Sequence, residues 1–219
     1  MVSKKFVLAT AALAAASFAG TSHAATVLTS GDTVDGWKIT FPVGIALVSD
    51  GPDVTLEKFA AFDNIEGLPI TFVQVSASAS PTVVITDESL TNVTGETWTG
   101  FQFLLANELP GNTAPAAFTG PVFAGDTAPF ASQTETADTI TLSDGTLANT
   151  DTAKFGFDAA GGQLTIDTNP ATDGSMKVFD LKEIPLVTAV PIPAAAWTGL
   201  SGLVGLGLIG SAKRLRRIA

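Results

Sequence analysis

Apolar and polar side chains alternate with a period of two through most of the middle of this chain. From Gly36 to Phe41, Trp37, Ile39 and Phe41 alternate with Lys38 and Thr40, the pattern of a half-buried strand. Val43 to Val48, Val54 to Phe62, Leu68 to Ala77 and Thr82 to Leu90 continue as strands, separated by turn residues such as Asp50-Gly51-Pro52-Asp53 and Pro81. Glu57 beside Lys58 hints at a helix, but the β-branched and aromatic residues around them favour a strand. Thr97 to Leu105 places Phe101, Phe103 and Leu105 on one face, with Trp98, Gln102 and Leu104 on the other.

Between Asn107 and Thr136 the texture changes to Pro, Gly, Ala and Thr, which predicts loops and a short edge strand near Phe118 to Phe123, or a linker between two domains. Lys154 to Asp158 and Gln163 to Asp167 then alternate around Ala159-Ala160-Gly161-Gly162, predicting a hairpin with a four-residue loop. Met176 to Ile184 makes a closing strand before Pro185. About ten short strands with Gly, Pro, Asn and Asp turns predict an all-β ectodomain, an antiparallel sandwich or jelly roll, over residues 25 to 189.

Two apolar stretches lack this alternation. Lys4 and Lys5 precede Phe6 to Gly20, and Thr21-Ser22-His23-Ala24 supplies small residues, so residues 1 to 24 read as a signal-peptide helix cleaved between Ala24 and Ala25. At the other end, Ala194 to Ala212 is 19 residues without a formal charge. As a helix it spans roughly 28 Å, the thickness of a bilayer core. Lys213, Arg214, Arg216 and Arg217 follow, which places the basic tail, residues 213 to 217, on the cytoplasmic side.

Val190-Pro191-Ile192-Pro193-Ala194-Ala195-Ala196-Trp197, the glycine-rich apolar helix and the basic tail resemble, in that order, the PEP-CTERM class of sorting signals over residues 190 to 219. Within it the motif is similar to the VPLPA subtype, with Ile192 in place of Leu and without the Glu of the commoner form. The resemblance implies a Gram-negative bacterium, Sec-type export with signal-peptidase cleavage, and transient anchoring in the inner membrane. It further implies handling by an exosortase near Val190 to Pro193, then a cell-surface or extracellular location associated with exopolysaccharide and biofilm. The stretches Asp35 to Pro42, Leu56 to Phe62 and Asn92 to Phe101 look like the β-rich ectodomains that accompany such tails, most of which have no assigned function.

Composition narrows the chemistry. Residues 25 to 189 hold five lysines, no arginine and all 21 acidic residues, leaving a net charge near −16. Such a field repels phosphate backbones, so nucleic-acid binding is not expected. The chain has no cysteine and no tyrosine, and its one histidine, His23, leaves with the signal peptide. Thiol nucleophiles, histidine metal sites and Ser-His-Asp catalysis are thereby excluded from the mature protein.

The remaining constellations are thin. Asp87 and Glu88 are adjacent on a strand and point to opposite faces, and with Glu96 they read as solvent-facing carboxylates rather than a glycosidase pair. Asp167-Thr168-Asn169 with Asp173-Gly174 faintly resembles a calcium loop, but Val178 stands where its closing Glu belongs. That set, with Asp50 and Asp53 and with Asp144 and Asp151, reads as Asx-type turns. Trp37 and Trp98 are either sugar-stacking platforms or core, and their apolar neighbours favour core. No catalytic, cofactor or metal residue is expected, calcium being the one weak candidate. The sequence thus favours a non-enzymatic structural or adhesive module, followed by a polysaccharide-binding module and then a carboxylate-based hydrolase.

Overall fold

The structure is a computed structural model, and it describes residues 25–50, 54–107, 115–120, 122–123, 126–156, 162–172 and 176–188. The segments expected as a signal peptide (1–24), sorting motif (Val190 to Pro193), apolar helix (194–212) and basic tail (213–217) lie outside the described residues, as do Asp53 and Asp173.

Fourteen strands and no α-helix occur among the described residues, in two seven-stranded sheets. The first sheet runs β1 (Thr26–Val27), β4 (Ile45–Ser49), β5 (Val54–Phe62), β7 (Thr82–Asn92), β13 (Leu164–Asp167) and β9 (Ala117–Thr119), with β12 (Thr152–Phe155) also on β7. The second runs β10 (Ser132–Glu135), β11 (Thr139–Ser143), β8 (Trp98–Asn107), β14 (Val178–Val187), β6 (Leu68–Gln74), β3 (Trp37–Thr40) and β2 (Thr33–Val34). Pairing is antiparallel except between β5 and β7, which run parallel. Their connection therefore crosses through β6 in the opposite sheet, where the sequence alone predicted only antiparallel neighbours.

The inner faces enclose one hydrophobic cluster, and its aromatic rings touch across the two sheets. Phe62 of β5 meets Trp98 of β8 edge-on at 5.3 Å, and Phe155 of β12 lies 6.4 Å from Phe103 of β8. Edge-to-face contacts of this kind add about 0.5–1.5 kcal/mol each beyond the area they bury. Phe123 and Phe130 insert beside Phe155, so the proline-rich stretch contributes to this same core rather than linking two domains. At the rim, Asp35 (φ 38°) and Gly36 (φ 81°) form the two-residue turn joining β2 to β3, a conformation open to Asp and Gly.

Four further expectations change. Among the described residues, the segments expected to form a hairpin, Lys154 to Asp158 and Gln163 to Asp167, do not pair with each other, and 157–161, the expected turn included, lie outside the described residues. Instead β12 and β13 lie in tandem along one edge of β7, opposite Glu88–Thr91 and Thr82–Ile85. Central β7 offers both segments a ladder and a hydrophobic face that a two-stranded hairpin lacks. Gly156 (φ 73°), just past β12, is a position only glycine fits, since a Cβ there would collide with the Gly162 carbonyl oxygen. Trp98 faces the core instead of opposing Phe101, because the β8–β14 register shifts at Leu186/Val187 and leaves Thr99 unpaired. The closing strand β14 continues through Pro185. That proline lies past the end of β6, where one ladder remains and proline is tolerated. Finally, Glu88 is fully buried rather than solvent-facing.

Candidate functional site

The most unusual chemistry lies in the interior. Along β5 the inward positions are Val54, Leu56, Lys58, Ala60 and Phe62, all buried, so one lysine interrupts an apolar stripe. Along β14 the inward positions Phe179, Leu181, Glu183 and Pro185 are interrupted by one glutamate. Both residues follow the period of two that built their strands.

Glu88 arrives by a different route. Val83 and Ile85 face the core, and strict alternation would send Asp87 there next. The β5–β7 register slips at this point: Glu57 stands opposite Thr86 and Lys58 opposite Glu88. Asp87, left unpaired, adopts φ 49°. This bulge turns Asp87 to the surface and brings Glu88 and then Leu90 inward.

The three side chains converge with no exposed surface. Lys58 Nζ donates to Glu88 Oε1 within its own sheet and to Glu183 Oε2 of the opposite sheet at 2.6 Å. Their ladder neighbours are hydrophobic: Leu47 opposite Lys58, Phe155 opposite Glu88, and Leu68 and Phe103 opposite Glu183. All four are buried. The second oxygens, Glu88 Oε2 and Glu183 Oε1, are buried without a hydrogen-bond partner.

Two carboxylates and one ammonium in a dry core cannot all stay ionised cheaply. Burial, then the adjacent Glu88, push the Glu183 carboxyl up to about 8, against the pull of Lys58. Burial raises Glu88 as well, with Lys58 opposing. For Lys58 burial favours the neutral amine, but the two carboxylates outweigh it and its pKa ends raised. Near neutral pH the cluster therefore holds one ammonium, one carboxylate and one shared carboxyl proton, with no net charge.

The other candidates resolve into structural roles. Trp37 and Trp98 are fully buried; Trp37 Nε1 donates to the Ser80 carbonyl at 2.9 Å, and Trp98 stacks on Phe101. Neither offers a sugar a platform. Asp167 Oδ1 accepts from the Asn169 amide at 3.0 Å, an Asx turn, and Lys177 Nζ donates to the Asn169 carbonyl at 2.5 Å. Asp144 accepts from Ser132, and Asp50 holds the Thr55 carbonyl through its amide. Asn92 is buried, its amide donating to the Glu96 and Leu147 carbonyls, so Asn92-Val93-Thr94 is a structural turn. Among the described residues no three acidic side chains group as a metal site. A surface depression between Pro129, Leu147, Asp151 and Thr152 carries one carboxylate only, Asp151. Glu88 and Glu183 do converge, but inside the core and around an amine, where no glycan reaches them. Ala25 is exposed at the start of β1.

Comparison with models of protein families, with curated proteins and with solved structures returns no match.

Proposed function

We propose that this chain is an exported, non-enzymatic β-sandwich of the cell surface or extracellular matrix, sorted by an exosortase-type system and serving a structural or adhesive role in exopolysaccharide or biofilm. Signal peptidase releases the N-terminus after Ala24. The jelly-roll-like ectodomain then folds outside, held by an apolar helix over residues 194 to 212 until its tail is processed.

The observation that carries this reading is the order Val190-Pro191-Ile192-Pro193, uncharged helix, then Lys213, Arg214, Arg216 and Arg217. The ectodomain is compatible with it: both of its described tryptophans and its converging glutamates Glu88 and Glu183 lie in the interior, leaving none of them at the surface as a ligand site. A polysaccharide-binding module is the weaker reading, because the two indoles that would have served it are buried.

Changing Pro191 and Pro193 together to Ala, followed by cell fractionation and blotting, tests the assignment. Full-length protein should accumulate in the inner membrane. Maturation and release at the wild-type level would refute sorting and leave a plain membrane anchor.

A further inference from the structure

The geometry points to an intramolecular isopeptide bond between Lys58 Nζ and Glu88 Cδ, formed inside the sandwich with Glu183 as the proton-transferring group. This inference concerns the ectodomain alone and stands apart from the sorting assignment.

A primary amine and a carboxyl group become an amide when three conditions meet: contact, a neutral amine, and a route for the departing water's protons. Contact is given by the fold. Lys58 and Glu88 are ladder partners on β5 and β7, 30 residues apart in sequence, and the bulge at Asp87 turns the carboxyl toward the amine. Pairs fixed this way react with effective molarities of about 10⁵–10⁸ M, against which a condensation unfavourable in dilute solution becomes accessible. The surrounding Leu47, Leu68, Phe103 and Phe155 keep bulk water away, disfavouring the reverse hydrolysis.

Glu183 supplies the proton route. Its Oε2 accepts from Lys58 Nζ, so it touches the reacting nitrogen, and it reaches there from the opposite sheet without competing for a position in the β5–β7 ladder. Its raised pKa lets it both take and return a proton near neutral pH.

The step balances without a co-reactant. Glu183 holds the cluster's shared proton, and Lys58 gives one ammonium proton to the Glu88 carboxylate it touches, leaving a neutral amine beside a carboxylic acid. The amine lone pair then forms the N–Cδ bond, opening the Glu88 carbonyl to a tetrahedral centre. A proton leaves nitrogen for Glu183 as Glu183 delivers its own to a Glu88 hydroxyl. The Cδ–O bond breaks and one water departs. Nothing is oxidised or reduced. The product replaces a buried ammonium and carboxylate by an amide, with protonated Glu183 beside it.

The test is intact mass spectrometry on the full chain purified from cells, followed by tryptic digestion after denaturation. The wild type should be lighter by one water than the sequence between its observed termini, resist cleavage after Lys58, and give fragment ions placing the link between Lys58 and Glu88. Lys58→Met and Glu88→Leu should each restore the full mass, and Glu183→Gln should leave the chain unlinked while circular dichroism still reports β structure. A wild-type chain at full sequence mass, cut normally after Lys58, would overturn the proposal. So would a link to Glu183, and a bond that forms equally well in Glu183→Gln would remove the role assigned to that residue. The wild-type measurement decides the matter even where a variant fails to fold.

Discussion

Lys58 and Glu183 belong to opposite sheets, yet Nζ of the first lies 2.6 Å from Oε2 of the second, so a polar contact pins the core through its thickness. Stacked sheets stand about 10 Å apart, a gap normally filled by apolar side chains. Here two long polar side chains meet in the middle.

Removing one member of this cluster should cost far more than removing all of them. Lys58→Ala leaves two buried carboxylates without their cation and should lower unfolding stability by about 3–5 kcal/mol in urea titrations. The triple change Lys58→Met, Glu88→Leu, Glu183→Leu should recover most of that loss. A triple variant as unstable as Lys58→Ala would show that the apolar walls are not shaped for hydrophobic replacements.

Stability should fall as pH rises. The Glu183 carboxyl titrates at about 8 in the folded chain against 4.5 as its ordinary value, so between these pH values the folded state holds the extra proton. Its contribution is complete below about 4.5 and is lost as pH climbs through 8. Burial is the largest cause, so the sign survives whether or not the amide has formed. Urea midpoints at pH 5 and pH 8.5 should show the decline, and Glu183→Gln should flatten it. A wild-type midpoint that rises over this window would contradict a protonated Glu183.

Gly156→Ala should be among the costliest single-methyl additions in the sandwich. It would place a Cβ against the Gly162 carbonyl oxygen and force a non-glycine residue to φ 73°. Strain at such a position costs on the order of 1–3 kcal/mol. Thermal unfolding should show a lowered Tm, whereas Gly120→Ala, which has the same sign of φ but open space around it, should lose less.

Tryptophan fluorescence tests ligand binding directly. Residues 25 to 188 contain Trp37 and Trp98 alone of the three tryptophans, and both are fully buried. Their emission should be blue-shifted and resistant to acrylamide, and added polysaccharide should change neither property. Quenching protection that appears only with a glycan would revive the binding-module reading.

Much of this site was open to inspection in the linear pattern. The stripe Val54, Leu56, Ala60, Phe62 already placed Lys58 inside, and Phe179 with Leu181 placed Glu183 inside; a charge in phase with an apolar stripe was the signal. Glu88 could not be found this way. Alternation from Val83 and Ile85 points to Asp87, and only a bulge formed against β5 shifts the phase. The turn of Trp98 into the core has the same origin, a register slip against β14. Tandem β12 and β13 depend on β7 having a long free edge, a property of the partner strand and not of the two segments. Periodicity within a segment was therefore readable, while the phase of Glu88, the turn of Trp98 and the tandem strands came from pairing between segments distant in sequence.

The position of β14 sets how the domain would carry tension. As the last strand among the described residues it ends at Val187, and it is clasped on one side by β6 and on the other by β8. A pull applied from beyond residue 188 runs along the strand, so it loads both ladders in shear and must strain many hydrogen bonds together. The opposite terminus is built differently: β1 is a two-residue strand on the outer edge of its sheet and can be peeled away one bond at a time. The described sandwich is thus mechanically polar, yielding at β1 and stiff at β14.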